Sequence, residues 1–463
     1  MKSLDRKFTL WALAWPIFME LFLQTLLGTV DTLSVSQISD GAVAVVGLSN
    51  HLFSAMMTLF MVVASGAGIL IAQRIGSQRE EDARSLAMLS LKVCGVIGLV
   101  LSVFLYTQPG LIAQWLNVPE ALIPLAESYI AIAGAGMVFT ALSAVLGTAL
   151  RSTGNTKAPM VVGVVINIVH VALNYAFIFG AFGFPEWGLA GVAVSTLVSK
   201  LLGTAILYFI FIEAFHRRIG WKELARYWDR SLLKEVLHIG WPLGINMSAW
   251  VLTQLVIYVF LATLGVKELA AKTYMNTLES FCFTLGYAVA LALQIQVAHL
   301  FGAGRTRDAY KATYKALWIG LAVVTVNALL LFSLGRQLLG IFTDDAQVIA
   351  IGISLLGLNL ILQPGKMLNM ALTNALNAVG DTRYTMVISF VCMWLVATGG
   401  SYVLGLHWGW GIVGVYICMI ADEYIRGILC LYRWRGQKYL RQAEAEPALG
   451  VGLSAREQEL VQA

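Results

Sequence analysis

Long apolar runs alternate with short polar breaks along the whole chain. Twelve runs are long enough to form helices that cross a bilayer: 8–34, 47–74, 87–108, 121–150, 159–182, 187–213, 239–264, 270–301, 313–335, 346–376, 385–406 and 410–434. About 20 apolar residues in a helix span ~30 Å of hydrocarbon, so each run predicts a transmembrane span. The exception among the breaks is 214–238, AFHRRIGWKELARYWDRSLLKEVLH, which is basic and aromatic and predicts an amphipathic surface helix. After residue 436 the apolar period is lost and a polar tail is expected.

The first run carries a polar stripe. Glu20, Gln24 and Asp31 fall close to one line on a helix, with Gly28 on the same line. A carboxylate at membrane depth costs roughly 2.5–3.5 kcal/mol on insertion scales, so such a stripe faces protein or a water-filled cavity, and marks a functional site by default. Pro16 lies near the start of this run and Pro242 near the start of the seventh, where each is expected to bend its helix.

The pattern repeats. AWP at Ala14–Pro16 returns as GWP at Gly240–Pro242; IAQRIGSQREEDA, ending at Ala83, returns as VAHLFGAGRTRDA, ending at Ala309; LGTALRSTGNTK, ending at Lys157, returns as LTNALNAVGDTR, ending at Arg383. All three pairs are 226 residues apart, and GLAGVAV from Gly188 returns as GIVGVYI from Gly411, 223 residues on. A six-helix unit is therefore duplicated. Six is even, so both copies enter the membrane from the same side and form a parallel repeat. The expected architecture is an all-α integral membrane protein of twelve transmembrane helices in two six-helix bundles around a central cleft. The N-terminal bundle covers 1–213, a cytoplasmic linker 214–238, the C-terminal bundle 239–436 and a cytoplasmic tail 437–463.

Composition narrows the function classes. Mean hydropathy is +0.77, and charged residues make up 12%, against about 25% in soluble domains. The net charge of +5 is dispersed over short loops and does not mark a nucleic-acid surface. With the N-terminus placed in the cytoplasm, 23 lysines and arginines fall on the inner side, against Lys267, Lys272 and Arg336 outside. That bias puts both termini in the cytoplasm and favours a bacterial cytoplasmic membrane. The first run lacks a small-residue cleavage site and reads as a retained span. The five cysteines lie inside apolar runs without a CxxC pair and read as small buried hydrophobes. No helical HExxH, paired-cysteine metal motif, phosphate-cradling GxxxxGK[ST] loop or nucleophile-base constellation occurs, so neither an enzyme nor an ATP-driven pump is expected, and no cofactor.

The ordered set of Trp15-Pro16, Val30-Asp31-Thr32, Gly154-Asn155-Thr156-Lys157 and Gly380-Asp381-Thr382-Arg383 across two six-helix halves resembles the multidrug and toxic compound extrusion (MATE) transporters, over roughly 8–436. The resemblance implies efflux of organic cations and other amphipathic compounds, coupled to H⁺ or Na⁺ without ATP. It also implies an N-terminal ion site in which Asp31 meets polar residues of the fifth helix, here Asn167, His170 and Asn174, which are spaced i, i+3, i+7 on one face. Asn174 stands where members of the family carry Asn or Asp; His170 stands where Asn is usual. The C-terminal half departs from the family: Trp250 and Lys366 occupy positions where some members carry Glu and Asp, and Glu279 appears instead, with Lys272 and Asn276 on its face.

Burial disfavours the charged form of a carboxylate, so Asp31 suits a site that is protonated on one side of the membrane and ionised on the other. Proton, Na⁺ and a cationic drug then compete for one charge. Transient Na⁺ near Asp31 is compatible with oxygens from Asn167, Asn174 and Gln24, whereas His170 would relay protons or repel Na⁺. Glu20, Gln24, Glu279, Asn276 and Lys366 are the candidate substrate contacts, with Glu279 and Lys366 expected to pair. Asp422 and Arg426 are expected to pair along the last helix, and Glu423 to snorkel towards the cytoplasmic end. The partners expected are small organic cations and the lipid bilayer, without nucleic acid, and the protein is expected to be a monomer. The competing readings are a flippase for a lipid-linked precursor, which calls for a more basic cleft, and a non-transporting membrane enzyme.

Overall fold

The computed structural model describes residues 8–215 and 229–437. Among these residues there are twelve long helices and no strand. They are α1 (Leu10–Ser36), α2 (Asp40–Gly76), α3 (Glu80–Thr107), α4 (Glu120–Ser152, interrupted at Gly136), α5 (Lys157–Phe179), α6 (Gly188–Ala214), α7 (Arg230–Leu264), α8 (Val266–Gly302), α9 (Thr306–Ser333), α10 (Ala346–Ala378), α11 (Thr382–His407) and α12 (Gly411–Arg435). The chain is thus an all-α, multi-pass membrane protein. Helices α1 to α11 have the length and hydropathy of membrane spans. Helix α12 is 25 residues long but charge-rich, carrying Asp422, Glu423, Arg426, Arg433 and Arg435.

The duplication is visible in the element bounds. Helices α2 and α8 are each 37 residues long and α3 and α9 each 28, and in both pairs the starts and ends lie 226 residues apart. Two short helices that the hydropathy pattern did not resolve, Pro109–Trp115 and Gly335–Gly340, begin at the same offset. Gly154 and Gly380, again 226 apart, both adopt positive φ (+83° and +92°) in the polar loops after α4 and α10. A glycine there closes the turn without the steric cost of a side chain. Second-half α11 differs: α-helix gives way to π-helical turns over Met393–Gly399 and Ser401–His407.

Two compact units are resolved. Of the described residues, one contains those of Met19–Arg74 and Arg79–Trp241; the other contains those up to Phe18, Ile75–Gln78, and those from Pro242 to Gln437. Helices α1 and α7 therefore pass from one unit to the other within two residues of Pro16 and at Pro242, the prolines that open the two repeats. The helix expected over 214–238 falls largely on 216–228, outside the described residues, and the tail beyond Gln437 also lies outside them. From Arg230 the chain already belongs to α7, nine residues before the expected start, because Leu233, Val236 and Leu237 continue the apolar stripe of that helix.

Packing within the first unit rests on small residues, as expected where lipid removes the hydrophobic drive between helices. Helix α7 lies against α2 at Gly66 and Gly240. A Cβ on Gly66 would come 2.4 Å from the Val236 carbonyl oxygen, and one on Gly240 would come 2.1 Å from that of Val62. In the second unit the core is Leu261, Met275, Leu278, Leu355, Leu362, Val415 and Tyr416 with their neighbours. Asp345 caps α10 by accepting from the Gln347 and Val348 amides at 2.8 and 3.3 Å, and Lys267 reaches it at 2.9 Å. The Gly66–Gly240 contact predicts that Gly240→Val lowers the apparent melting temperature of the detergent-solubilised protein, at a cost of ~1–3 kcal/mol. Gly163→Ala, with no atom within 4 Å of the added carbon, should melt like wild type; equal behaviour of the two variants would contradict the close packing.

Candidate functional site

Asp31 lies on α1 one turn from its end, and its carboxylate is 26% exposed. Helix α5 presents two residues to it. Asn174 donates from Nδ2 to Asp31 Oδ1 at 2.9 Å, and His170 Nε2 stands 3.5 Å from the same oxygen. Asn174 and His170 are themselves buried, at 1% and 4% exposure. Both recorded contacts fall on Oδ1. Asn174 Oδ1 and His170 Nε2 are buried without a hydrogen-bond partner. Asn174 Oδ1 is thus a buried acceptor left without a donor, and His170 Nε2 can donate or accept according to its tautomer.

Two further residues act on the site. Lys200 on α6 and buried Tyr129 on α4 both interact electrostatically with Asp31, and Lys200 also with His170. Neither was singled out from sequence. Lys200 had a signal, being a lone charge inside the apolar run VSTLVSKLLGTAI. Tyr129 had none, since a tyrosine in an apolar helix is ordinary.

The rest of the expected stripe separates from Asp31. Asn167, expected beside the acid, donates instead to the Leu23 carbonyl on α1 at 3.2 Å. Glu20 is held by Arg151, whose Nη1 lies 2.8 and 3.0 Å from its two oxygens, while Nη2 donates to Thr148 at 3.1 Å. The apolar run ending at 150 predicts Arg151 in the following loop; it lies instead in the last turn of α4, where the Glu20 carboxylate of α1 neutralises it. Gln24 is exposed.

The second unit carries a different arrangement. Glu279 on α8 accepts from Tyr416 at 2.9 Å and from Lys366 at 3.3 Å, and Lys272 lies 3.9 Å away. Lys272 donates to the Tyr416 hydroxyl at 3.2 Å and sits over its ring. Lys272 lies on the face of Glu279 as its spacing predicts, and is buried within α8. Asn276 donates to Tyr258 on α7. Towards α12, Arg426 binds Asp422 at 2.5 Å and Glu423 at 3.0 Å, and Asn369 donates to Glu423 at 2.7 Å. Glu423 therefore does not snorkel to the membrane surface, because α10 and α12 supply it with two partners inside the unit. No cluster able to hold a metal ion occurs among the described residues.

Comparison with known proteins agrees with this architecture. The family model described as MatE matches residues 16–176 and 242–403, two stretches that begin at the repeated prolines. The chain is 31% identical to an uncharacterized transporter, YisQ, of Bacillus subtilis over 444 residues, which cover 96% of this chain and 97% of that one. It is 28% identical over 436 residues to a probable multidrug resistance protein, NorM, of Thermotoga maritima, covering 93% and 92%. Solved structures share the fold. An outward-facing multidrug resistance MATE transporter of the MOP superfamily matches with TM-score 0.82 at 19% identity, over 92% of this chain and 94% of that one. A MATE protein in a bent conformation matches with TM-score 0.86 at 18% identity, over 96% and 99%.

The Glu20–Arg151 contact gives a stability prediction. Glu20→Ala leaves the guanidinium without its carboxylate and should cost ~1.5–3 kcal/mol, read as a lower melting temperature. The exchange Glu20→Arg with Arg151→Glu should recover most of the loss. Wild-type melting of Glu20→Ala would show that the pair does not hold α1 to α4.

Proposed function

The chain belongs to the MatE family of multidrug and toxic compound extrusion transporters, and on that premise we propose that it is a proton-coupled antiporter exporting organic cations and amphipathic compounds by alternating access. The observation that carries the reading is the unpartnered Asn174 Oδ1 beside Asp31. An ionised Asp31 attracts a cation. A protonated Asp31 carries an O–H of its own to give to Asn174 Oδ1, or to His170 Nε2 in the tautomer that leaves that nitrogen unprotonated. The two states have different hydrogen bonds and different charge, which is what exchange of a proton for a cationic substrate requires. The site holds one carboxylate, one amide oxygen and an imidazole, with the Lys200 ammonium nearby. Hard cations favour oxygen-rich shells, so this set suits a proton better than Na⁺. Asn167, which braces α1 through the Leu23 carbonyl, orients the carboxylate's helix rather than serving as an ion ligand. The substrates are small molecules, the termini lie in the cytoplasm of a bacterial cell membrane, and the transporter works as a monomer without a cofactor or nucleic acid.

The flippase reading finds one favourable observation, the two lysines around Glu279, but the N-terminal site is built on an acid. The test is efflux of a fluorescent organic cation from vesicles, with ΔpH and ΔNa⁺ imposed separately. Wild type should export with ΔpH alone, and Asp31→Asn should fold and show at least a tenfold lower rate. Export driven only by ΔNa⁺ would replace the proton with Na⁺. No export under either gradient would reject the antiporter.

A further inference from the structure

The polar groups of the second unit have the wrong sign for a cation site. Glu279 is the one carboxylate among Lys272, Lys366 and Tyr416, so the group carries one ammonium more than it can neutralise. It is enclosed: Lys272 is 1% exposed, Glu279 5% and Tyr416 0%. An uncompensated charge in such surroundings costs several kcal/mol, and structures meet it with an opposite charge. Asp422 and Glu423 of the same unit do not supply it, because those carboxylates are engaged by Arg426 and Asn369.

The two lysines are not equivalent. Lys272 is spent inside the unit, donating to Tyr416 and lying 4.7 Å from its ring centroid. Lys366 gives one N–H to Glu279 and is the open member, with 17% of its side chain exposed. An ammonium has three donors, so Lys366 has two left to offer. Glu279 holds its nitrogen at 3.3 Å, and Glu279 is itself held by the Tyr416 hydroxyl.

We infer that Lys366, held by Glu279 and backed by the charge of Lys272, is an anion-binding site in the C-terminal unit that takes the carboxylate of zwitterionic amphipathic substrates. This deepens the efflux reading and rests on it: it assigns the residue that meets the carboxylate of a substrate carrying a cationic centre and a carboxylate together. A free inorganic anion shares the recognising chemistry and is separated by the test.

The test uses the full chain in lipid nanodiscs, with empty nanodiscs as the baseline, and two dyes that differ at one group. Rhodamine B carries a cationic ring system and a free carboxylate; its ethyl ester carries the same ring system and no anion. Binding is read by fluorescence anisotropy. Lys366→Gln should weaken rhodamine B about tenfold, the scale of one charged hydrogen bond, and leave the ester unchanged. Lys366→Arg should retain rhodamine B. Glu279→Gln removes the internal competitor and should tighten rhodamine B several-fold, a gain that a misfolded variant cannot give. The inference is overturned if Lys366→Gln alters both dyes equally or neither, or if Glu279→Gln weakens rhodamine B. It is also overturned in favour of an inorganic-anion site if chloride, exchanged for gluconate, binds at Lys366 while Lys366→Gln leaves the preference between the dyes unchanged. Export of the ester under ΔpH reports on the efflux reading separately. If the ester is exported and rhodamine B ignores Lys366, only the anion site falls; if wild type binds neither dye, both readings fall for this class of substrate.

Discussion

A charge placed in hydrocarbon must be answered, and that constraint organises the polar chemistry of this protein. Most of its intramembrane acids are answered by cations at contact distance: Glu20 by Arg151, Asp422 and Glu423 by Arg426, and Glu279 by two lysines. Asp31 is held differently. A neutral amide and an imidazole touch it, and Lys200 acts on it from farther away. A carboxylate clamped by arginine gains little from a proton. One held by neutral groups, beside a buried acceptor that lacks a donor, has a use for it.

The duplication supplies the frame, and the two copies differ in their buried polar chemistry. The bounds of α2, α3 and α4, the loop glycines and the starts of the short helices repeat at one offset in α8, α9, α10 and their loops, because they are set by bilayer thickness and turn geometry, which both halves share. The loop pairs Arg79–Asp82 and Arg305–Asp308 repeat as well, but the charged residues of the two polar sites do not. The first unit places an acid against α5; the second places an excess ammonium against α8. Each repeat also opens with a proline at which its first helix passes between the two compact units. Proline removes an internal hydrogen bond from a helix, so these are the positions where the backbone bends at least cost.

Much of this was legible in the sequence. Twelve spans follow from the apolar runs, and two halves follow from the register of WP and G-[DN]-T-[KR]. The group formed by Asp31, His170 and Asn174 follows from helical spacing together with the family resemblance. What could not be read was which residues meet across helices. Asn167 has the right spacing for Asp31 but finds a backbone carbonyl first. Arg151 looked like a loop cation because sequence gives its distance from a helix end, not the carboxylate waiting on another helix. Spacing puts Lys272 on the face of Glu279, but it does not show that Tyr416 of another helix stands between the two. Lys200 was visible and passed over.

The central claim is that one carboxylate, Asp31, is shared between a proton and a cationic substrate. Proton release on substrate binding tests it most directly. A tetraphenylphosphonium salt would be added to the purified protein in weakly buffered detergent containing a pH-sensitive dye. The account predicts that wild type releases protons in proportion to the cation bound and that Asp31→Asn releases none. Equal release from both proteins, or cation binding to wild type with no release at all, would contradict it.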